Sequence, residues 1–184
     1  MPTDRLESRQ IIVGVTGGIA AYKAAELVSC LRQRGALVTV VMTEAAARFV
    51  QPLTFAVLSG QRVITDLFER PEHYEAEHIR LAQKAELAIV APATANFVGK
   101  AAAGLADDAL TTTILSLACP IVVAPAMNQR MWANPAVQRN VARLRELGYR
   151  IVEPAEGWLA CGERGPGRLA DLDAILEAAE AALA

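Results

Sequence analysis

The segment PAMNQRMW, at residues 125–132, combines residue types that could bind a small molecule and orient it. It follows a short apolar run and carries two methionines, a tryptophan and one amide side chain, Asn128. At the edge of a buried sheet, these side chains would form a mostly apolar pocket with one well-placed polar group. Met127 and Met131, four residues apart, could instead form the core stripe of a helix, and neither alternative readily accounts for Asn128.

The loop ACGERGPGR, at residues 160–168, is too polar and too rich in glycine to belong to a core. Its three glycines are typical of a flap, because mobile lids and hinges tolerate unusual backbone dihedrals. Cys161, at the start of this loop, is therefore expected to be exposed or to face a site. Cys30 and Cys119 fall in or beside helical patterns, where a cysteine usually serves as a small apolar core residue.

A glycine-rich turn, GVTGGI at residues 14–19, follows the first apolar run and opens a helical pattern. Its glycines would let the backbone approach a ligand, and the start of the helix offers N–H groups and partial positive charge to a phosphate. Thr16 stands where the dinucleotide fingerprint needs its second glycine, and no Gly-Lys-Ser/Thr follows, so a mononucleotide fits better than NAD or ATP. The alternative is that these glycines only make a tight turn.

Five further polar positions come after predicted strands or before predicted helices. Thr43 could offer its hydroxyl to the same phosphate, or it could cap the next helix. The stretch PATANF places Thr94 and Asn96 where a flat ring could lie, with helix capping as the alternative for Thr94. Asp107 and Asp108 precede a helix and are also explained as ordinary N-terminal residues that its dipole favours.

Short apolar runs alternate with helical patterns along the chain, which predicts one domain with a doubly wound, mostly parallel sheet. This is the α/β class of Rossmann-like and flavodoxin-like three-layer sandwiches, in which ligands bind beyond the carboxyl ends of the strands. We predict strands at 11–15, 37–42, 87–91, 121–124 and 149–152, and a weak one at 62–64. We expect proline to end the strands at 91 and 124. Helices are predicted at 19–34, 79–84, 95–103, 108–118, 135–147 and from 171, with two short ones within 44–59 and loops at 67–77 and 155–168.

Composition excludes several classes of function. The 184 residues are 53% hydrophobic and carry a net charge of −2, which suits one globular domain and makes nucleic acid an unexpected partner. Three widely spaced cysteines fit neither a disulfide framework nor a zinc site, so no metal is expected. No apolar run is long enough to span a membrane, and the first residues do not have the pattern of a secretory signal. We expect a cytoplasmic protein whose residues 1–9 are flexible.

Taken together and in this order, these segments resemble the flavin-containing cysteine decarboxylases. The resemblance is carried by GVTGGIAAYK at 14–23, VMTEAA at 41–46, HIRLA at 78–82, APATANF at 91–97, AGLADD at 103–108, PAMNQRMW at 125–132 and ACGERGPGR at 160–168. It implies FMN as the cofactor, with contacts from Thr16, Gly17, Gly18, Ile19, Thr43, Ala93, Thr94, Asn96, Ala106, Asp107 and Asp108.

The resemblance also implies three catalytic residues: an active-site histidine, His78; an asparagine that holds the substrate carboxylate, Asn128; and a flap cysteine that completes turnover, Cys161. Further substrate contacts would come from Met127, Met131, Gly162 and Arg168. The implied substrate is 4'-phosphopantothenoylcysteine, an intermediate of coenzyme A biosynthesis, which would lose carbon dioxide to give 4'-phosphopantetheine.

Loss of carbon dioxide from a cysteinyl carboxylate leaves a carbanion, so the reaction needs an electron sink. Oxidation of the neighbouring thiol to a thioaldehyde, with FMN as the acceptor, would create one. Decarboxylation then gives an enethiol, and the return of a hydride and a proton, the latter from Cys161, gives the saturated product. Replacement of Cys161 with serine should stall the reaction at the enethiol.

Members of this family form trimers or dodecamers built from trimers, with the active site at a subunit boundary, and some are fused to a phosphopantothenate-cysteine ligase domain. The resemblance extends these expectations to this chain. The alternatives within the family are a peptide cysteine decarboxylase that stops at the enethiol and a non-enzymatic regulatory subunit. The Cys161 flap argues against the first, and the lack of acidic extensions argues against the second.

Overall fold

The sheet of this protein contains five parallel strands in the order β2-β1-β3-β4-β5. The structure is a computed structural model that describes residues 5–67, 77–160 and 162–184. The strands are β1 (Gln10–Val15), β2 (Leu37–Met42), β3 (Leu87–Ala93), β4 (Ile121–Pro125) and β5 (Arg150–Ile151). The order reverses direction after β2, as in a doubly wound sheet, so the predicted fold class is confirmed.

Helices cover both faces of the sheet. They are α1 (Ala21–Gln33), α2 (Glu44–Ala47), α3 (Pro52–Ser59), α4 (Glu77–Lys84), α5 (Ala95–Ala103), α6 (Ala109–Ser116), α7 (Gln129–Trp132), α8 (Pro135–Glu146) and α9 (Leu172–Ala182). The short helix α7 is absent from the sequence-based prediction, which places the other helices to within a few residues.

The core consists of two apolar clusters, one on each face of the sheet. Alternate residues of a strand point to opposite faces, so Val13 and Val15 join the cluster under α1, α3 and α9, while Ile12 joins the cluster under α4, α5, α6 and α8. Because both faces are buried, the central strands are continuous apolar runs. This pattern is what made them recognisable in the sequence.

Strand β3 is longer than predicted, because Pro92 does not end it. After a shift in register beyond Val90, Ala93 pairs with Pro125 of β4. A proline cannot donate a hydrogen bond to a neighbouring strand, but its carbonyl still accepts one. The carbonyl of Pro92 accepts hydrogen bonds from Thr16. The predicted weak strand at 62–64 is also absent, and Ile64 forms only an isolated bridge to Val41.

Residues 155–168 are not the irregular loop that was predicted. They form an antiparallel hairpin of β6 (Ala155–Trp158) and β7 (Arg164–Arg168). The hairpin holds together by backbone pairing, since glycine, proline and charged residues dominate both strands. We refer to residues 155–168 as the flap hairpin.

Residues 5–9 are the described part of the segment 1–9 that is predicted to be flexible, and they contact the rest of the fold. Leu6 is fully buried in the core. The N–H of Ser8 donates to the carbonyl of Gly35, and Arg9 forms an ion pair with Glu86. Residues 1–4 lie outside the described part of the chain. Among the described residues, no helix has the length and apolar character needed to cross a bilayer.

Candidate active site

A cavity of about 980 Å³ opens at the carboxyl ends of β1, β3 and β4, where the fold predicts a ligand site. The loop after β1 contributes Gly17 and Gly18, and the loop after β3 contributes Thr94. The loop after β4 contributes Met127 and Asn128, and the flap hairpin covers one side. The predicted site residues that line this cavity are Gly17, Gly18, Ile19, Thr94, Met127, Asn128, Met131 and Arg168.

The start of α1 forms one wall of the cavity and is suited to an anion. Its N-cap, Ala20, supplies no side-chain hydrogen bond, so no side chain caps this end of the helix. The positive end of the helix dipole lies beside Gly18 and Ile19, which line the cavity. An uncapped helix start lined by glycine fits a phosphate group.

Gly17 is required by a close approach of α2, the short helix that follows β2. A side-chain methyl built at Gly17 would overlap the methyl of Ala45 and lie 2.7 Å from the Ala45 carbonyl carbon. The N–H of Thr43 also donates to the carbonyl of Val15 at 3.1 Å, which holds the two loops together. The glycine-rich turn therefore serves the packing of the loops as well as access to a ligand.

Three of the predicted cofactor contacts act as helix caps. Thr43 accepts from the N–H of Ala46 at 3.2 Å, and Thr94 accepts from the N–H of Phe97 at 3.4 Å. Asp108 forms a capping box at the start of α6. The capping alternatives are therefore confirmed for Thr43 and Thr94, although Thr94 also lines the cavity. Asp108 has its expected place at the N-terminus of a helix.

Lys100 of α5 holds the loop that contains the two aspartates. Its Nζ lies 2.7 Å from Asp107 Oδ1 and 3.2 Å from Asp108 Oδ2. The hydrogen bond to Lys100 lowers the pKa of Asp107, and the same bond raises the pKa of Lys100. Thr43, Ala93, Asn96, Ala106, Asp107 and Asp108 are not among the described residues that line the cavity. Their contacts with a cofactor remain predictions.

Thr16, the first residue after β1, is 1% exposed and joins its own loop to the loop after β3. Its hydroxyl donates to the carbonyl of Pro92 at 2.7 Å and accepts from the N–H of Thr94 at 2.9 Å. The structure thus shows this hydroxyl engaged with the protein itself. A direct contact between Thr16 and a cofactor remains a prediction.

Asn128 stands at the wall of the cavity as the N-cap of α7. Its Oδ1 accepts from the N–H of Arg130 at 2.8 Å, which fixes the orientation of the amide. With the oxygen engaged in this way, the amide nitrogen is the atom of Asn128 that can donate to a carboxylate. Met127 and Met131 line the same wall, and the described part of α7 buries no residue, so the core-stripe alternative is wrong.

The flap hairpin is anchored beside Asn128. The N–H of Met127 donates to the carbonyl of Gly167 at 2.9 Å, and Gln129 Nε2 donates to Glu163 Oε2 at 2.6 Å. A side chain at Gly167, whose φ is +133°, would run into the carbonyl oxygen of Met127. These contacts fix the base and the tip of the hairpin against the loop after β4.

The remaining predicted residues are distributed as follows. Arg168 lines the cavity and pairs with Asp171 at 2.8 Å. Gly162 is described but is not among the cavity-lining residues, and Cys161 lies outside the described residues. His78 lies on α4, which packs against α6, and it also does not belong to the described lining of the cavity.

Sequence reasoning missed several residues that line the cavity, among them Tyr22, Lys23 and Trp158. Ile19 and Tyr22 lie three residues apart and off the predicted core stripe of the first helix. Both side chains are exposed in the structure, so large apolar residues off the core stripe were a usable signal in the sequence. Trp158 is 72% exposed, and a tryptophan within a glycine-rich polar segment was a second signal.

The chain matches the family described as Flavoprotein over residues 2–184, and it belongs to that family. It is 51% identical to the coenzyme A biosynthesis bifunctional protein CoaBC of Bacillus subtilis over 175 residues, which are 95% of this chain and 43% of the relative. The CoaBC of Mycolicibacterium smegmatis is 47% identical over 94% of this chain and 41% of its own length. The chain therefore spans less than half of these relatives.

Two solved structures have nearly the same fold. The FMN-dependent cysteine decarboxylase SpaF is 39% identical, with a TM-score of 0.82 over 95% of this chain and 99% of its own. A cysteine-to-serine variant of PPC decarboxylase, complexed with pantothenoylaminoethenethiol, is 30% identical, with a TM-score of 0.83 over 93% of this chain and 96% of its own. The resemblance to the cysteine decarboxylases is thereby confirmed.

Proposed function

We propose that this chain is the FMN-dependent decarboxylase that converts 4'-phosphopantothenoylcysteine to 4'-phosphopantetheine in coenzyme A biosynthesis. The observation that carries the proposal is the position of the Asn128 amide, at the wall of a cavity that also contains an uncapped helix start. The similarity to CoaBC proteins and to PPC decarboxylase supports this substrate.

The residues of the cavity fit FMN. The start of α1, beside Gly17 and Gly18, would hold the phosphate, and the part of the cavity bordered by Thr94 and Met127 would admit the ring. When bound, FMN would supply an acceptor for two electrons from the substrate thiol and would return them after carbon dioxide has left. The protein contributes the binding, orientation and proton transfers that this cycle needs.

Asn128 would hold the substrate carboxylate by donating from its amide nitrogen. The hydrogen bond between its Oδ1 and the N–H of Arg130 keeps that nitrogen in place before the substrate arrives. The side chains of Met127 and Met131 provide an apolar wall beside it. An apolar wall favours decarboxylation, since charge that is spread in the transition state loses less solvation there than the compact carboxylate does.

His78 would assist the movement of the thiol proton. It does not line the described cavity of its own chain, and an active site shared between copies accounts for that position. We therefore propose a homotrimer, alone or within a dodecamer, in which His78 completes the site of a neighbouring copy. Cys161, which lies outside the described residues, would donate the last proton to the enethiol.

The relatives also support two wider proposals. Because CoaBC proteins are bifunctional and this chain matches less than half of their length, we propose that it works together with a phosphopantothenate-cysteine ligase, either fused to it or separate. A reducing cytoplasm is the proposed location, since Cys30 and Cys119 are free thiols.

The activity is tested by incubating the protein with FMN and 4'-phosphopantothenoylcysteine and measuring the product mass. A product lighter by carbon dioxide alone supports the proposal. A product that lacks two further hydrogens supports the second candidate, a peptide-type cysteine decarboxylase that stops at the enethiol, which the similarity to SpaF favours. No loss of carbon dioxide from either a phosphopantothenoyl or a peptidyl cysteine would contradict both.

The role of Asn128 has a matched control within the chain. Asn128→Asp keeps the helix cap but places a carboxylate opposite the substrate carboxylate, so we expect kcat/KM to fall about 100-fold or more. Asn134 caps α8 in the same way, accepting from the N–H of Ala136 at 2.9 Å, and it is not among the described lining of the cavity. Asn134→Asp should keep wild-type activity. Equal activities of the two variants would contradict the assignment.

A further inference from the structure

Hydrogen bonds join the loops at the carboxyl ends of neighbouring strands. The N–H of Thr43, after β2, donates to the carbonyl of Val15 on β1 at 3.1 Å, and the N–H of Ala126, after β4, donates to the carbonyl of Ala93 on β3 at 3.0 Å. Backbone groups make both of these joints. These two backbone hydrogen bonds can therefore form with many different side chains at the residues that make them.

The joint between the loops after β1 and β3 depends instead on the side chain of Thr16. Its hydroxyl donates to the Pro92 carbonyl at 2.7 Å and accepts from the Thr94 N–H at 2.9 Å. A hydroxyl can donate one hydrogen bond while it accepts another, so this single group bridges the two loops. The backbone N–H of Thr16 also approaches the Pro92 carbonyl, but at the longer distance of 3.3 Å.

Thr94, one of the two residues that Thr16 binds, borders the cavity. Thr94 caps α5 by accepting from the N–H of Phe97, so its position determines where that helix begins. Gly18 lies close to Thr94, since a methyl built at Gly18 would lie 3.5 Å from the Thr94 methyl group. Gly18 and Thr94 both line the cavity. The hydroxyl of Thr16 thus helps to fix the distance between the starts of α1 and α5.

We propose that Thr16 is a positioning residue whose hydroxyl sets the spacing between the loops after β1 and β3 and so determines how tightly the cavity holds FMN. In this role the hydroxyl of Thr16 acts through the two loops, because it is directed to Pro92 and Thr94. The inference rests on the proposed function, since it takes FMN as the ligand. It concerns the retention of FMN and not the chemistry of decarboxylation.

Two substitutions separate the hydroxyl from the shape of the side chain. Thr16→Val keeps the branched shape and removes both hydrogen bonds, whereas Thr16→Ser keeps the hydroxyl and loses only a methyl group. The FMN-loaded proteins are diluted, and the release of FMN is followed by its fluorescence, well below the temperature of unfolding. We expect Thr16→Val to release FMN about tenfold faster or more, and Thr16→Ser to remain within about threefold of wild type.

A buried threonine outside the site provides the control for general loss of stability. Thr113 of α6 is also 1% exposed, and its hydroxyl donates to the carbonyl of Ala109 at the same distance of 2.7 Å. Thr113→Val removes a comparable buried hydrogen bond. It should lower the melting temperature as Thr16→Val does, while FMN release stays at the wild-type rate.

The outcomes separate this inference from the proposed function. Wild-type release rates in Thr16→Val, or equally fast release in Thr113→Val, would overturn the role of Thr16 and leave the proposed function standing. A wild-type protein that does not bind FMN would overturn both. If Thr16→Val does not fold, Thr16→Cys takes its place, and it must release FMN faster than Thr16→Ser, or the inference is wrong.

Discussion

The contact between Gly17 and Ala45 gives a prediction whose size follows from the structure. In Gly17→Ala, the new methyl would overlap the Ala45 methyl and lie 2.7 Å from the Ala45 carbonyl carbon and 3.0 Å from its oxygen. Carbon atoms pack at about 3.5–4.0 Å, so α2, which contains Ala45, has to move by roughly 1 Å. The obstacle is partly backbone, which cannot turn aside as the end of a flexible side chain can.

Overpacking of this kind costs about 1–3 kcal/mol of unfolding free energy. For a chain of this length, that corresponds to a melting temperature lower by roughly 2–12 °C. Because α2 lies against the glycine-rich turn, its displacement should also make Gly17→Ala hold FMN less tightly. The unfolding free energy is measured by urea denaturation with linear extrapolation, and FMN binding is measured by fluorescence titration.

Gly99→Ala is the matched control, since it adds the same methyl where there is room. Gly99 lies inside α5, and the nearest atom to the added methyl would be Asn140 Nδ2, at an ordinary contact distance of 3.5 Å. Alanine in a helix interior is favoured over glycine by roughly 0.5–1 kcal/mol, so this variant should be more stable than wild type. If Gly17→Ala were as stable as Gly99→Ala, the steric argument would be refuted.

Two further predictions concern the flap hairpin and the pH dependence of stability. Gln129→Ala removes the 2.6 Å hydrogen bond to Glu163. Steady-state kinetics should then show KM raised about 2–10-fold with little change in kcat. An unchanged KM would contradict the role of Gln129 in anchoring the flap hairpin. The pKa of Glu86 lies below its usual value of 4.5, first because the Gln10 N–H donates to it and then because Arg9 pairs with it. A lowered pKa in the folded state stabilises the fold above pH 4.5, and this contribution is lost as the pH falls from that value through the lower pKa of the folded state. Glu86→Gln should therefore destabilise the protein at pH 7 but much less at pH 3. The effect should be small, since the side chain is 38% exposed, and urea midpoints that differ equally at both pH values would show that the carboxylate has no such role.

The sequence allowed the sheet to be predicted because its strands are buried on both faces. A strand such as Leu87–Ala93, in which every residue is buried, is necessarily an apolar run. The sequence-based prediction ends that strand too early, before Pro92, because it considers only the missing N–H of proline. Its carbonyl is available, and Thr16 uses it. The missing N–H of a proline therefore does not end a strand in which the proline still accepts a hydrogen bond through its carbonyl.

The flap hairpin was not predictable from the side-chain pattern. Its strands, AEGW and RGPGR, show no apolar alternation, and the pairing is made by backbone groups that every sequence possesses. Its position depends on contacts with residues far away in the chain, such as the hydrogen bond between Met127 and Gly167. Glycine content indicated mobility and gave no signal for a regular element.

At the candidate site, the sequence identified the right loops and assigned several of their polar groups too directly to a ligand. The side-chain oxygens of Thr16, Thr43, Thr94 and Asp108 all bond to the protein's own backbone. This has a physical cause, since a short polar side chain beside a helix start meets unpaired N–H groups at closer range than any ligand.

These internal bonds have a consequence for how the cavity holds a phosphate and a flat ring. Where the hydroxyls are already engaged, a phosphate at the start of α1 meets mainly backbone N–H groups and glycine, whose positions depend on how the loops are held apart. Binding should then respond to changes that alter the spacing of the loops, as Thr16→Val and Gly17→Ala do. The two changes act on different boundaries of the turn, the first toward β3 and the second toward β2. Thr16 and Gly17 are consecutive residues of one turn, so a backbone shift at one moves the other, and their effects on the free energy of FMN binding should depart from additivity in the double variant. Strictly additive effects would mean that the spacing at the two boundaries is set independently, and would contradict this account of the turn.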